Sequence, residues 1–152
     1  MKPKNRIFPA LLAFTLLITE TVLPCTRVVY EGLNGTIITA RFMDWRGEIP
    51  ADLWIFPRGI ERSGEVGTSS IKWKSKYGSV ITSSWDIASS DGMNEKGLVG
   101  NLLWLVEWQY PAYEKNGKVK GLAVSLWLQY VLDSFSTVAE TVAALEKKDF
   151  VV

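Results

Sequence analysis

The sequence predicts an α+β fold in which strands come first and helices are layered on an antiparallel sheet. Between residues 27 and 106, short runs rich in β-branched and aromatic side chains alternate with glycine, proline, asparagine and aspartate. From residue 123 to residue 145 the apolar side chains change to helical spacing. No internal repeat or low-complexity segment interrupts this order. The 152 residues suffice for one domain with its own core.

The composition argues against several classes of function. The net charge of +1 leaves no basic excess for binding nucleic acid. The chain has no histidine, which removes Ser-His-Asp and Cys-His catalytic arrangements. With a single cysteine it also lacks the nitrogen and sulfur ligands of a zinc site, so we expect no metal and no cofactor. The seven tryptophans fit either a large apolar cleft or an aromatic core.

Residues 1–24 are typical of an export signal or pro-segment. Lys2, Lys4 and Arg6 precede the apolar run of residues 7–18, which is too short to span a bilayer comfortably. We therefore expect an exported bacterial protein, periplasmic or secreted, with no membrane span after processing. Pro24 is a poor residue for a signal peptidase to cleave after, so the processing route stays open.

The single cysteine, Cys25, directly follows this segment and is the candidate nucleophile. Once the segment is removed, Cys25 carries both a thiol and a free α-amine. An α-amine has an ordinary pKa of about 8 and can take the thiol proton without a histidine. Cys25 therefore holds a nucleophile and a base on one residue.

A predicted β-hairpin brings two charged residues to Cys25. Residues 27–30 and 36–42 favour strands, and the glycines and asparagine of residues 32–35 supply the turn. Antiparallel pairing returns the end of the second strand to the start of the first. Arg41 and Asp44 therefore lie near Cys25, although they are 16 and 19 residues away in sequence.

The remaining elements follow from local patterns. Thr137 is expected to cap a helix, with Glu140 in the capping-box position. An earlier helix covers residues 123–132. Further strands are expected at residues 53–57, 72–77, 79–85 and 98–106, the last of them buried on both faces. Residues 58–67 are expected to form a loop, and residues 91–97 a turn built on Asn94 and Gly97. The inner face of the second helix is expected to carry Val138, Val142 and Leu145. Residues 150–152 resemble the start of another strand, so we expect the chain to be an N-terminal fragment of a larger domain.

Three motifs in order resemble the choloylglycine hydrolase family: Cys25-Thr26, the RFMDW run of residues 41–45, and the DGMNEKGL run of residues 91–98. The resemblance covers nearly all of residues 25–152. This family contains bile-salt hydrolases and penicillin V acylases, which are N-terminal-nucleophile hydrolases with an αββα sandwich. The resemblance implies that fold, a small-molecule amide substrate and a homotetramer.

The resemblance also implies residue roles. Cys25 would be the nucleophile and its α-amine the base, with Asp44 orienting the amine and Arg41 beside the sulfur. Trp104 would occupy the oxyanion-hole position. Trp45 directly follows Asp44, so we expect the two indoles to face one cleft and Trp45 to contribute to substrate binding. Tryptophan in that position, with an export signal, resembles the Gram-negative branch that acts on penicillin V or acyl-homoserine lactones. Two further family positions, an asparagine of the oxyanion hole and a distal arginine, would fall after residue 152.

Simpler interpretations compete with these roles. Cys25 can be a buried, inert thiol, Arg41 and Asp44 a surface ion pair, and Trp45 and Trp104 core residues. Two functional alternatives stay open. One is a bile-salt hydrolase. The other is a non-catalytic exported lipoprotein or binding module anchored through an acylated Cys25, which Leu23 favours weakly and Pro24 disfavours.

Overall fold

Strands precede helices in the structure, as the sequence predicts. A computed structural model describes residues 25–105, 107–115 and 117–152; the predicted export segment lies outside these ranges. The described strands are β1 (Thr26–Glu31), β2 (Ile37–Phe42), β3 (Leu53–Phe56), β4 (Glu61–Ser63), β5 (Lys72–Lys74), β6 (Ser79–Ser84), β7 (Ala88–Asn94), β8 (Val99–Asn101), β9 (Lys120–Gly121) and β10 (Phe150–Val151), and the helices are α1 (Val124–Ser134) and α2 (Val138–Leu145). The α+β prediction is confirmed.

The predicted hairpin forms from β1 and β2, which pair antiparallel. Its turn uses left-handed backbone at Asn34 (φ 61°) and Gly35 (φ 74°), as their residue types predict. Gly32 was expected to share this conformation, but its φ is −92° and its N–H instead donates to the Thr36 carbonyl at 2.8 Å. Gly32 therefore closes the turn in extended backbone, and the left-handed positions are Asn34 and Gly35.

A four-stranded antiparallel sheet in the order β3-β6-β7-β8 carries helix α1 on one face. Ile81 of this sheet and Leu128 and Leu132 of α1 are buried together in the core. Gly92 permits this close packing, because a Cβ there would lie 2.7 Å from Ile81 Cγ2 and 2.8 Å from Leu132 Cδ1. The described residues thus supply one helical layer and one sheet layer of the expected sandwich.

Polar side chains of α1 fix the helix to the sheet. Gln129 is fully buried and donates to Ser79 Oγ at 3.2 Å and to Asp133 Oδ1 at 2.8 Å, while its carbonyl accepts from Ser89 Oγ at 3.0 Å. The backbone carbonyl of Asp133 accepts a hydrogen bond from the backbone N–H of Lys76 at 2.8 Å. Buried polar groups require hydrogen-bond partners. Apolar packing alone would permit many placements of the helix on the sheet, and these bonds select one of them.

Asp133 also forms a buried ion pair. Arg62 Nε lies 2.9 Å from Asp133 Oδ2, and Trp73 Nε1 donates to the same oxygen at 2.8 Å. The Arg62 guanidinium stacks 4.4 Å above the centre of the Phe56 ring. Burial raises the pKa of Asp133, and the bonds from Trp73, Gln129 and Arg62 oppose that rise. Asp133 therefore links α1 to β4 and β5.

Two predictions of irregular structure were wrong in part. The supposed loop of residues 58–67 contains β4, which pairs with β5 because Arg62 lies opposite Trp73 and reaches Asp133. Within the supposed turn of residues 91–97, the first four residues belong to β7, and the reversal occurs at residues 95–97. Tertiary pairing decides both cases, which local composition does not reveal.

Asn94 and Gly97 form the turn after β7, as predicted. Asn94 Oδ1 accepts the backbone N–H groups of Lys96 at 3.0 Å and Leu98 at 3.1 Å. Gly97 has a φ of 81°. These residues shape the chain reversal.

The predicted strand over residues 98–106 was also wrong in part. Among the described residues of this run, only 99–101 form a strand, β8, and they are half-buried; residue 106 lies outside the described ranges. β8 is the edge of the described sheet, so residues 102–105 have no described strand on their outer side, and Leu105 is 58% exposed. The apolar run therefore marks a partly exposed segment.

The second helix forms with its predicted cap but a different inner face. Glu140 N donates to Thr137 Oγ1 at 3.1 Å, and the Glu140 carboxylate accepts the Ser136 N–H at 2.8 Å. Val138 and Val142, expected on the inner face, are 67% and 48% exposed. Thr141 is buried instead, because its hydroxyl bonds to the Thr137 carbonyl at 2.9 Å.

The end of the described chain forms a short strand, as predicted. β10 pairs in parallel with β9. In the described ranges, no helix is long and apolar enough to cross a membrane.

Replacement of Asp133 by asparagine should destabilise the protein by about 3 kcal/mol, because it leaves the buried Arg62 cation without its anion. Urea unfolding of Asp133→Asn and of the exposed control Glu146→Gln measures the difference. Equal stability of the two variants would show that the Arg62–Asp133 pair does not hold the fold.

Candidate active site

Cys25 lies at the open end of the β1–β2 hairpin and has a free thiol. Thr26 pairs with Phe42 and Arg27 with Arg41, so Cys25 stands beside the end of β2. Because alternate residues share a face of a strand, Cys25 and Arg41 lie on the same face. Cys25 is half-buried and therefore is not a fully buried, inert thiol. The backbone register of the hairpin therefore places Cys25 near Arg41, as the sequence predicts.

Arg41 is held in a fixed orientation by groups outside the hairpin. Its side chain is only 6% exposed. The Arg41 Nε donates to Asp91 Oδ1 in β7 at 2.7 Å, and Nη2 donates to the Leu102 carbonyl at 2.5 Å. The interpretation of Arg41 and Asp44 as a surface ion pair is therefore wrong, since the anion that pairs with Arg41 is Asp91.

These bonds connect the hairpin to the segment that carries Trp104. Leu102 lies two residues before Trp104, and its N–H donates to the Ser90 carbonyl at 2.7 Å. Its carbonyl accepts from Arg41. The backbone before Trp104 is thus fixed between β7 and the guanidinium.

Asp44 lies just after β2 and is exposed. Among the described residues, no hydrogen bond or ion pair joins Asp44 to Cys25 or Arg41. The role of Asp44 in orienting the α-amine stays a prediction. That amine exists only after cleavage before Cys25, so its contacts belong to a processed chain.

The two predicted aromatic residues are exposed and belong to different contacts. Trp45 is 56% exposed and meets Trp85 edge to face, with ring centroids 5.8 Å apart. Trp104 is 63% exposed and follows β8 rather than lying in it. Neither indole is a core residue of the described structure, and their convergence on one cleft stays a prediction. Trp85 was not predicted as part of this surface.

Asp91 and Asn101 are the site residues that sequence reasoning missed. They face each other across β7 and β8, and Asn101 Nδ2 donates to Asp91 Oδ1 at 2.7 Å. A signal was present, since the two polar residues stand at equal distances on either side of Lys96 in the turn. Assigning Asp91 to that turn concealed the pairing.

The site places a thiol near a buried cation. Arg41 lies on the face of the hairpin that Cys25 shares. Within the described ranges, no group of three or more histidine, cysteine, aspartate or glutamate side chains is arranged to hold a metal ion. The arrangement is suited to attack by sulfur on an electrophilic carbon.

Known proteins resemble this chain over most of its length. The family described as linear amide C–N hydrolases, choloylglycine hydrolase family, matches residues 25–152. Penicillin V acylase of Pectobacterium atrosepticum is 47% identical over 137 residues, which cover 86% of this chain and 36% of that protein.

Solved structures extend the likeness to the fold. Penicillin V acylase from Agrobacterium tumefaciens is 55% identical with a TM-score of 0.78, over 82% of this chain and 39% of that one. A mutant conjugated bile acid hydrolase from Clostridium perfringens is 24% identical with a TM-score of 0.64, over 82% and 38%, a likeness of fold alone. The chain therefore spans less than two fifths of the length of each of these relatives.

Proposed function

Because the chain belongs to the choloylglycine hydrolase family of linear amide C–N hydrolases, we propose that it supplies the nucleophile of an acylase that cleaves penicillin V or acyl-homoserine lactones. The observation that carries this proposal is that the match to the family begins at Cys25. The penicillin V acylases of Pectobacterium and Agrobacterium support the choice of substrate. The protein extended to the length of these relatives, called the extended protein below, is the form in which activity is tested.

In the proposed reaction, Cys25 Sγ attacks the amide carbonyl carbon, and the thiol proton passes to the α-amino group. The C–N bond then breaks, and the α-ammonium group returns that proton to the leaving nitrogen. Water attacks the resulting thioester and gives a proton to the amine, which passes it to the departing sulfur. Each cycle consumes one water molecule and releases one acid and one amine.

The neighbouring residues take supporting roles in this proposal. The buried Arg41 cation stabilises negative charge on sulfur, and its desolvation strengthens that effect. Asp44 accepts a hydrogen bond from the α-amine and orients it. The backbone N–H of Trp104 donates to the oxyanion of the tetrahedral intermediate. The fixed backbone at Leu102 supports that role.

Export and assembly are part of the same proposal. Residues 1–24 direct the protein out of the cytoplasm and are removed, and the mature enzyme assembles as a homo-oligomer. The basic and apolar pattern of residues 2–18 supports the first step.

The mature extended protein should begin at Cys25, because the base of the reaction is the α-amine of that residue. Intact mass and N-terminal sequencing of periplasmic protein measure this directly. An active enzyme that retains the Pro24–Cys25 bond would contradict the amine-base mechanism. A diacylglycerol adduct on Cys25 would favour the lipoprotein alternative.

Replacement of Cys25 by serine should lower kcat at least about 100-fold and leave KM nearly unchanged, because a hydroxyl is a far weaker nucleophile than a thiolate. Release of amine from penicillin V measures kcat, and EDTA should not change it. Ser136, which is half-buried and bonds to Glu140 at the start of α2, provides a control: Ser136→Ala should retain the full rate. Equal rates in wild type and Cys25→Ser would refute the cysteine nucleophile.

Penicillin V and long-chain acyl-homoserine lactones should be cleaved faster than glycocholate. The indoles of Trp45 and Trp104 offer flat apolar surfaces to an aryl or fatty acyl group but few hydrogen bonds to steroid hydroxyls. Trp104→Ala should lower kcat/KM for the first two substrates about fivefold, as expected for the loss of about 1 kcal/mol of aromatic contact.

Kinetics with all three substrates in Trp104→Ala and in Trp108→Ala test this preference. Trp108 is a matched control, since it is 58% exposed and contacts Tyr110. Glycocholate as the best wild-type substrate would refute the preference and favour the bile-salt hydrolase alternative. An equal loss across substrates in Trp104→Ala would mean that Trp104 supports the fold or the oxyanion hole.

A further inference from the structure

Two of the three nitrogens of the Arg41 guanidinium are fixed by partners of different kinds. Nε donates to Asp91 Oδ1 at 2.7 Å, and Nη2 donates to the Leu102 carbonyl at 2.5 Å. A guanidinium is planar and rigid, so fixing two nitrogens also fixes the direction of the third.

The third nitrogen is buried and unsatisfied. Arg41 Nη1 is inaccessible to solvent, and the side chain as a whole is 94% buried. In the described part of the chain, Nη1 has no hydrogen-bond partner. Leaving a buried donor unpaired costs about 1–3 kcal/mol, more for a charged group, so such an atom requires an explanation. Its residue shares a strand face with Cys25.

Asp91 is itself held by a second donor. Asn101 Nδ2 donates to the same Oδ1 at 2.7 Å, and Asn101 is the residue directly opposite Asp91 in the β7–β8 register. Asp91 Oδ1, which accepts from Arg41 Nε, is therefore also held by a side chain from the neighbouring strand.

We propose that Asp91, supported by Asn101, is a positioning residue that directs Nη1 of Arg41 to the sulfur of Cys25. This inference rests on the proposed function, in which Cys25 reacts as a thiolate. Nη1 then finds its missing partner in the thiolate, both before attack and when the sulfur departs from the thioester. Asp91 does not touch substrate and acts through Arg41.

Asp91 influences the thiolate in two opposite ways. Its hydrogen bond orients Arg41 and favours the thiolate, whereas its negative charge opposes the thiolate. Asp91→Asn removes the charge and retains an oxygen for Arg41 Nε, while Asp91→Ala removes both. The difference between these two variants therefore isolates the orienting effect.

The test measures the pH dependence of Cys25 alkylation by iodoacetamide in the processed extended protein, together with kcat and KM for penicillin V. The alkylation midpoint of Asp91→Ala should lie about one pH unit above that of Asp91→Asn, the size expected for a nearby cation. Asp91→Ala should lose about 10- to 100-fold in kcat with little change in KM, and Asp91→Asn should recover most of it.

Asn101→Ala should shift the alkylation midpoint in the same direction as Asp91→Ala, by a smaller amount and without a change of charge. It also tests the inference if Asp91→Ala does not fold. Glu95→Ala provides the control, because Glu95 pairs with Arg58 on the surface and the Arg58 hydrogen bond lowers the pKa of Glu95 to about 2. Glu95→Ala should leave the alkylation midpoint unchanged.

Identical midpoints and identical kcat values for Asp91→Ala and Asp91→Asn would overturn the positioning role and leave only an effect of charge. An unshifted midpoint in Asn101→Ala would also overturn the support assigned to Asn101. Alkylation needs no turnover, so an inactive wild type would refute the proposed function and leave the Asp91 inference open to this test.

Discussion

The guanidinium of Arg41 is the interaction on which the arrangement of the site depends. Cys25 belongs to a hairpin whose first strand is exposed along its whole length. Arg41 connects this hairpin to β7 through Asp91 and to the segment after β8 through Leu102. One buried cation therefore connects the hairpin beside Cys25 to the segment expected to form the oxyanion hole.

The sheet that receives Arg41 depends in turn on helix α1. Gln129 and Asp133 are fully buried. Gln129 bonds to Ser79 on β6 and Ser89 on β7 of that sheet, whereas Asp133 bonds to β4 and β5. Apolar packing alone would tolerate small shifts of the helix. Asp91 lies on β7, which packs against α1. The orientation of Arg41 is therefore linked to a helix that contributes no residue to the site.

The exposed apolar surface accords with the part of the family fold that this chain represents. Large side chains on β1, β2 and β3 are exposed in the described structure, including Val28, Ile37 and Leu53. The chain spans less than two fifths of the length of its relatives. Apolar faces of this extent require a covering layer in a stable protein.

Local signals explain what the sequence could predict. The hairpin, the cap at Thr137 and helix α1 each follow from residues close together in the chain, and all three are present. The placement of Arg41 beside Cys25 followed from the hairpin alone. Resemblance to the family then assigned chemistry to these positions.

Contacts that local sequence patterns do not reveal explain what the sequence could not predict. Asp91 pairs with Arg41 across 50 residues, and no local pattern distinguishes it from a turn aspartate. β4 forms because Arg62 reaches Asp133, a partner 71 positions later in the chain. Thr141 replaces Val138 on the inner face of α2 because its hydroxyl is satisfied within the helix. For Asp91 and Arg62 a tertiary partner overrides the local preference, whereas the Thr141 bond is local to its helix.

In the proposed reaction, Cys25, with a free α-amine, forms a covalent bond to the acyl group of the substrate. Rapid acid quenching of the extended protein during turnover of penicillin V, followed by peptide mass spectrometry, tests it most directly. We expect one acyl group, removable by hydroxylamine, on a peptide that begins at Cys25. An acyl group on any other residue, or turnover with no acylated peptide under conditions where the thioester accumulates, would contradict it.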